Sequence, residues 1–355
     1  MNWSTQITQL LGTTYPIVQA PMFGVTTPEM VAAASATGAL GTLALGGLSY
    51  EKCIAAIQAT KRLTTQPFAV NIFVNSMPEV SENLKSHYNK VRSFVTPFAH
   101  QHGLEVELAT FEEIHLTDYR EQVAAIIASG CKIVSFIFGN LDQESIALLK
   151  ENHTVLIGTC TSVAEARILE ESGIDIICVQ GLEAGGHRGS FNAITIPQIG
   201  GLSLLSQVHG HVDKPVIYAG GIYNAHTLLA AKQLGAVGFQ VGSLLLKSKE
   251  SALLDFEKQR LSQVKESDIV LTRSFSGRFT RAITNAFIEN LDGTDYILPY
   301  PYQNKLTNAL RKVAKANGNT DFVGIWVGQS IHLYRDASTG DILKGLIREV
   351  EATTD

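Results

Sequence analysis

The amino-acid sequence predicts an α/β protein built on a TIM (β/α)8 barrel, with a small lid domain inserted near the C-terminus. Two observations favour the barrel. Eight short apolar segments alternate with segments of helical pattern within the first 245 residues, which is typical of a parallel sheet surrounded by helices. The last three of these segments end in glycine-rich loops, as expected at the ligand-binding end of a barrel.

A doubly wound open sheet is the alternative fold. Such a sheet binds a dinucleotide through a G-x-G-x-x-G pattern directly after its first strand. The first strand of this chain is followed instead by Pro21-Met22-Phe23-Gly24. The sequence therefore favours the barrel.

The predicted strands are short, and most are rich in apolar residues, as expected for strands buried on both faces. In chain order they are 16–20, 41–44, 68–73, 133–136, 155–158, 174–179, 215–219 and 238–241. Helical patterns separate them. Thr27 followed by Pro28 is a helix start signal, Ser162 predicts another start, and helices are expected over 50–63 and 119–129. A polar stretch over 75–102 is expected to be mostly helical.

Composition excludes several classes of protein. The chain has 355 residues, of which 45% are hydrophobic and 17% charged, which indicates a globular protein large enough for one big core. A formal net charge of −5 without a basic stripe argues against a nucleic-acid partner. The start is polar and no apolar run is long enough to span a membrane, so we expect a cytoplasmic protein with no membrane partner. The four cysteines lack metal-type spacing, so we expect buried free thiols and no metal site.

The loop after the sixth strand is the strongest candidate for a functional site. It places four glycines within residues 181–189, more than a simple turn needs. Gln180 lies at the strand end and His187 near the loop apex. A ligand-facing loop would have this composition, whereas the alternative is an ordinary strand-to-helix turn with a surface histidine.

The ends of the seventh and eighth strands predict a phosphate site. The seventh ends in Gly220 and Gly221, and the eighth in Gln240-Val241-Gly242-Ser243. In TIM barrels the loops after these two strands commonly bind phosphate through backbone N–H groups. A phosphate-bearing cofactor is therefore expected.

Polar groups at the first and third strands fit a flavin ring. Ala20, Pro21 and Met22 end the first strand, and Asn71 lies within the apolar third strand. A buried amide is costly without hydrogen bonds, and the pyrimidine edge of a flavin offers both donors and acceptors. The alternative for Asn71 is a structural amide that ties the strand to a loop.

After Val241 the alternation of strands and helices stops. We expect a lid domain over residues 246–321, and a barrel over 1–245 and 322–355. Within and after the lid, the predicted elements are helices over 251–264, 278–290 and 306–316, a short strand over 268–272, and a last barrel helix over 331–350. Tyr300 and Tyr302 are candidate substrate contacts; the alternative is a rigid Pro-Tyr turn packed on the barrel rim. Arg278 and Arg281 are expected to be solvated or structural.

These residues resemble the nitronate monooxygenases, the family once called 2-nitropropane dioxygenases, of the class I type. The matching segments cover nearly the whole chain. They are QAPM, TTPEMVAAASATGALG, VNIFV, GTCTSVAEA, VQGLEAGGHRGSF, YAGGI, GAVGFQVGS, SFSGR-x-x-R, YPYQNKLT and WVGQS. One departure is Phe23, where a smaller residue is expected, and we expect it to narrow the pocket above the cofactor.

The resemblance implies an FMN-dependent enzyme. It places FMN contacts on Asn71, Gln180, Gly185, Gly221 and 240–243, and the catalytic role on His187. The implied reaction oxidises alkyl nitronates, such as propionate 3-nitronate, with O2 to carbonyl compounds and nitrite or nitrate, a detoxification. In that reaction His187 serves either as a base or as an anion-binding group.

Two other functions stay open. A flavin-dependent enoyl-acyl-carrier-protein reductase shares the barrel and a similar histidine loop, but YPYQNKLT and WVGQS favour the nitronate monooxygenases. The other alternative is a non-catalytic barrel that binds a flavin or a phosphate.

Overall fold

The computed structural model describes residues 2–331 and 334–354 and contains an eight-stranded parallel sheet curled into a barrel, as predicted. The strand order is β1-β9-β8-β6-β5-β4-β3-β2. The barrel strands are β1 (Ile17–Gln19), β2 (Gly41–Gly46), β3 (Phe68–Phe73), β4 (Ile133–Ile137), β5 (Val155–Cys160), β6 (Ile176–Gln180), β8 (Val216–Ala219) and β9 (Gly238–Val241). β1 approaches β2 through a parallel bridge between Val18 and Leu40, which nearly closes the ring.

The helices that follow the strands cover the outside of the barrel. They are α2 (Pro28–Ser35), α3 (Tyr50–Leu63), α5 (Tyr119–Ala128), α6 (Gln143–Glu151), α7 (Val163–Glu171), α8 (Gly201–His209), α9 (Ala225–Gln233) and α13 (Thr339–Thr354). The main hydrophobic core lies between these helices and the sheet. The four cysteines are buried free thiols, as predicted.

The first helix, α1 (Gln6–Leu11), closes the amino end of the barrel. Ile7 and Leu11 pack in one cluster with inward-facing residues such as Val18, Ile157 and Ile217. Ile7 is fully buried. Because this end is filled by side chains, a ligand cavity can form only toward the carboxyl ends of the strands.

A second sheet lies over that carboxyl end. It consists of β10 (Ile269–Thr272), β11 (Thr280–Ile283) and β7 (Gly186–His187), all antiparallel. The helices that share a second hydrophobic core with it are α4 (Glu82–Gln101), α10 (Asp255–Ser262), α11 (Ala286–Leu291) and α12 (Tyr302–Ala316). α4 comes from the polar stretch predicted to be helical, so the second core also recruits residues outside the proposed lid boundary of 246–321.

Two predicted helices differ from the structure. The helix expected over 278–290 is wrong in its first part, because residues 280–283 form β11 between two partner strands and only Ala286–Leu291 is helical. The last helix begins at Thr339 rather than 331; residues 332–333 of that prediction lie outside the described residues. Thr339 is held by Glu250, whose carboxylate accepts bonds from its N–H and its hydroxyl.

None of the described helices combines the length and the hydropathy that crossing a lipid bilayer requires.

Candidate active site

A cavity of about 580 Å³ opens at the carboxyl ends of the barrel strands, beneath the second sheet and α12. Most residues predicted for the site line it. These are Ala20, Pro21, Met22, Asn71, Gln180, Gly185, His187, Gly220, Gly221, Gln240, Gly242, Ser243 and Tyr300. The parallel barrel brings them together because the carboxyl ends of all its strands meet at one rim.

Two predicted residues do not line this cavity. Val241 is fully buried in the main core beside the barrel. Tyr302 is also buried, and its ring stacks on Phe111 with centroids 5.3 Å apart. Of the tyrosine pair, only Tyr300 faces the cavity.

Gln180 ties the end of β6 to the glycine-rich loop. Its Nε2 donates to the carbonyl of His187 at 3.0 Å, and its Oε1 accepts from the N–H of Gly189 at 2.8 Å. The side chain therefore clamps the loop on both sides of Arg188 while still lining the cavity. One N–H of the amide has no role in this clamp and is available to a ligand.

His187 is placed by a distant part of the chain. It lies in β7, opposite Thr280 of β11, and Gly186 lies opposite Arg281. The N–H of Arg188 donates to the carbonyl of Phe279 at 2.8 Å. The loop that carries the histidine is thus an edge strand of the second sheet, not a free turn.

The imidazole of His187 is held in an aromatic and cationic environment. Its ring centroid lies 5.5 Å from Phe138, 6.4 Å from Tyr300 and 5.9 Å from Trp326. Within the described part of the chain, its buried Nε2 has no hydrogen-bond partner. Burial, followed by the nearby positive charges of Arg278 and Arg311, lowers the pKa of His187 to about 3. The ring is therefore neutral at physiological pH, with a free nitrogen that can accept or donate a proton.

The predicted phosphate site gains a partner from the late WVGQS segment. The N–H of Gly328 donates to Ser243 Oγ at 2.9 Å. Gly220 and Gly221 have positive φ angles of 131° and 66°, a conformation that L side chains rarely adopt. A short 3-10 helix, Ser243–Leu245, begins here. At Gly220 and Gly221 the backbone therefore reaches the cavity without an intervening side chain, and Ser243 adds a hydroxyl group.

The floor of the cavity is polar. Asn71 is buried, and its Nδ2 donates to Ser135 Oγ at 2.8 Å. Ser135, Thr159 and Cys178 also line the cavity from β4, β5 and β6. The amide of Asn71 is thus fixed by a neighbouring strand. It has a structural role and also lines the cavity.

The buried arginines around the loop hold carbonyl groups. Arg188 donates to the carbonyls of Gln180 and Gly181, Arg281 to that of Leu182, and Arg278 to that of Ser190. Arg278 and Arg281 are therefore structural, one of the two roles expected for them. All three are nearly inaccessible.

The sequence reasoning missed the polar face of α12. This face carries Asn304, Lys305, Asn308, Arg311 and Lys312 into the cavity wall. Lys305 and Arg311 form no ion pair with a carboxylate anywhere in the described chain. Burial and the charge of Lys52 lower the pKa of Lys305. The signal was present: these positions recur at helical spacing opposite a buried stripe that includes Leu306 and Leu310.

Phe23, the departure from the family pattern, lies at the rim of the cavity. It is 46% exposed and its ring centroid lies 6.1 Å from that of Phe73. Gly46, with a φ of 47°, lies directly under the ring. The Phe23 side chain therefore narrows the entrance of the cavity and not its floor.

Comparison with known proteins places this geometry in a family. The sequence model described as nitronate monooxygenase matches residues 4–349. A protein of Staphylococcus saprophyticus named "Probable nitronate monooxygenase" is 38% identical, with 98% of each chain covered. The crystal structure of nitroalkane oxidase from Streptomyces ansochromogenes superposes with a TM-score of 0.88 at 32% identity, covering 99% of both chains. FabK from Thermotoga maritima gives a TM-score of 0.76 at 26% identity, covering 99% of this chain and 97% of its own.

Proposed function

Because the chain belongs to the nitronate monooxygenase family, we propose that it oxidises alkyl nitronates with O2 to carbonyl compounds and nitrite or nitrate, using bound FMN. One observation carries the proposal. His187 lines the cavity, and its neutral imidazole has an Nε2 without a hydrogen-bond partner among the described residues. Such a ring can take the α-proton of a nitroalkane or, with Nε2 protonated, donate a hydrogen bond to nitronate oxygens.

The residues around the cavity fit FMN. The backbone at Gly221 and Gly242, with the Ser243 hydroxyl, would hold the phosphate. Asn71, Gln180 and the Ala20–Met22 segment would face the ring. When bound, FMN supplies the acceptor for the electrons of the nitronate and passes them to O2. The compact group of phosphate donors at Gly221, Gly242 and Ser243 suits a single phosphate, which favours FMN over FAD.

The chain's own residues bind and orient the substrate. Tyr300 and Trp326 line the cavity close to His187, and the second sheet above them limits the access of water. The proton leaves the substrate carbon to His187, whose lowered pKa keeps the ring unprotonated and its nitrogen unoccupied. A nitronate, already deprotonated, needs only the hydrogen bond.

We also propose that the substrate carries a second negative charge, as propionate 3-nitronate does. Lys305 and Arg311 line the same cavity as His187, and the described chain offers them no carboxylate partner. A bound carboxylate would compensate the burial that lowers the pKa of Lys305. The cellular role that follows is detoxification of such nitronates.

The deciding experiment is anaerobic addition of a nitronate to the purified flavin-loaded protein. We expect rapid bleaching of the flavin absorption by propionate 3-nitronate, and O2 consumption with nitrite or nitrate release when air is admitted. A protein that NADH bleaches rapidly and nitronates do not would contradict the proposal.

The likeness to FabK over nearly the whole chain supports a second candidate, a flavin-dependent enoyl-acyl-carrier-protein reductase. That activity requires reduction by NADH and turnover of an enoyl thioester. The same bleaching experiment, repeated with NADH and a crotonyl thioester, separates the two candidates.

A further inference from the structure

One residue beside the site has a backbone conformation that its side chain should avoid. Phe138, directly after β4, has a φ of 80°, in the left-handed region that glycine adopts freely and bulky residues rarely do. The next residue is Gly139, yet the strained position itself holds phenylalanine. Strain of this kind persists only where the surroundings enforce it, and it clusters at functional sites.

The strained backbone is anchored to the histidine loop. The N–H of Phe138 donates to the carbonyl of Gly189 at 3.2 Å, two residues beyond His187. The same loop is clamped on its other side by Gln180. The end of β4 and the end of β6 therefore hold β7 between them.

The ring of Phe138 connects the groups that set the environment of His187. Its centroid lies 5.5 Å from that of His187, at 71°, and 5.5 Å from that of Tyr300, at 69°. The guanidinium carbon of Arg278 lies 4.2 Å from the centroid of the same ring. Phe138 is only 2% exposed, so it acts behind the cavity wall and not on a ligand.

The geometry points to Phe138 as the positioning residue of His187: its ring fixes the orientation of the imidazole and keeps water away from it. This inference rests on the proposed role of His187 in proton transfer. Edge-to-face packing gives the imidazole one preferred orientation.

Among the described residues, three charged or titratable groups surround His187. Arg278 precedes β11, Arg311 projects from α12, and Tyr300 lies in the turn before that helix; Phe73, Phe138 and Trp326 complete the ring contacts without charge. Burial is the largest cause of the low pKa of His187, ahead of the two arginines. Removing the Phe138 ring should therefore raise that pKa.

The test uses Phe138→Leu and Phe138→Gly in the FMN-loaded protein. Glycine accepts a φ of 80° without strain, so the second variant keeps the test valid if leucine prevents folding. The matched control is Phe136→Leu, because Phe136 is equally buried on β4 but packs in the main core. Titration of the His187 ring is followed by NMR with labelled histidine, assigned by the loss of its signal in His187→Asn.

We expect both Phe138 variants to raise the pKa of His187 by at least about one unit and to lower kcat/KM for a nitroalkane about tenfold, with flavin still bound. The control should leave the titration within about 0.3 units of the original protein. Unchanged titration in both Phe138 variants would overturn the inference, and so would an equal shift in Phe136→Leu. If the protein turns over neither nitroalkanes nor nitronates, the proposed function fails, while the NMR titration still tests Phe138.

Discussion

At the scale of single residues, the proposed chemistry depends on a histidine, His187, whose surroundings keep it neutral. Burial and two arginines lower the pKa of His187, whereas an ordinary histidine is half protonated near pH 6.5. As the pH falls, the lowered pKa of His187 preserves the neutral base but reduces stability. A base with a lowered pKa stays available as the pH falls, and the buried neutral ring makes folding less favourable once the unfolded chain can bind a proton.

The first prediction is therefore the substitution His187→Asn. We expect kcat/KM for neutral nitroalkanes to fall about 10²-fold or more, because the proton acceptor is lost, while pre-formed nitronates lose less. In the original protein, the acid limb for nitroalkanes should lie well below pH 6.5. Rates for a nitroalkane and its nitronate, measured from pH 5 to 9, check both points.

His153→Asn is the matched control, since His153 lies in an exposed turn with a φ of 54° that asparagine tolerates. Equal losses on both substrates in His187→Asn would make His187 a positioning or electrostatic group. No loss on either would remove it from the mechanism.

The pKa of His187 also predicts how stability changes with pH. The unfolded chain protonates this histidine below about pH 6.5, while the folded protein does so only near 3. Over that window the unfolded state binds more protons, so the free energy of unfolding decreases as the pH falls. Urea unfolding at pH 7 and pH 5 should show a smaller pH dependence for His187→Asn than for the original protein. An identical pH dependence in the two would contradict the assigned pKa.

Lys305 gives the prediction for substrate choice. Lys305→Met should raise KM for the dianion propionate 3-nitronate about tenfold or more, because a charge-assisted hydrogen bond contributes roughly 1.5–3 kcal/mol. Ethyl nitronate, which has no carboxylate, should change by no more than about twofold. Steady-state kinetics on both substrates checks this, with Lys344→Met as the control on exposed α13. Equal changes in KM for the two nitronates would rule out a carboxylate subsite at Lys305.

At the scale of secondary-structure elements, the site is built where β6, β7 and β11 meet. Gln180 connects the first two through one hydrogen bond on each side of Arg188, and β11 pairs with β7. The strands that line the cavity, β6 and β7, are therefore held by one amide and by backbone pairing with β11, which lies much later in the chain.

Gln180→Ala tests this junction. We expect weaker FMN binding, about tenfold in Kd, and lower turnover, because two hydrogen bonds of roughly 1 kcal/mol each are lost at the loop that carries His187. The barrel should remain folded, since β6 itself keeps its backbone pairs. Flavin fluorescence titration and circular dichroism measure the two effects, with Gln207→Ala on exposed α8 as the control. Loss of the folded state with FMN affinity intact would make Gln180 purely structural.

At the scale of the whole molecule, two hydrophobic cores meet across one cavity. The barrel core and the second core face each other at the carboxyl ends of the strands. We propose that residues 246–321 act with α4 as a lid over this cavity. A ligand that fills the cavity would contact both cores and should stabilise the entire chain.

The prediction at this scale is that FMN raises the melting temperature, and riboflavin raises it less. At 100-fold excess over Kd, a ligand contributes roughly 2.7 kcal/mol, which corresponds to about 3–4 °C for a chain of this size. Riboflavin lacks the phosphate, so the backbone at Gly221 and the Ser243 hydroxyl would have no anion to bind. Differential scanning calorimetry of the flavin-free and reconstituted protein measures this.

Mass spectrometry of the chromophore released by heat identifies the cofactor, and FMN is expected. Recovery of FAD would contradict the single phosphate site. Equal stabilisation by riboflavin and FMN would show that the glycine pairs bind no phosphate.

The sequence by itself determined the barrel, the strand ends and a core group of the residues that line the cavity. Apolar strands buried on both faces and glycine-rich strand ends are local signals, and in a parallel barrel every strand end is delivered to the same rim. This is why Asn71, Gln180, His187, Gly221 and Ser243 could be grouped before their positions were known.

Only the tertiary structure decided how the site is held and charged. β11 was predicted to be helical although it pairs with β10 just before it and with β7 far earlier in the chain. Local sequence patterns do not show a pairing partner as distant as β7. The cationic face of α12 reads as an ordinary solvated stripe until the cavity is seen beside it. The strained φ of Phe138 and the low pKa of His187 arise from groups that several elements bring together, so neither property exists until the chain has folded.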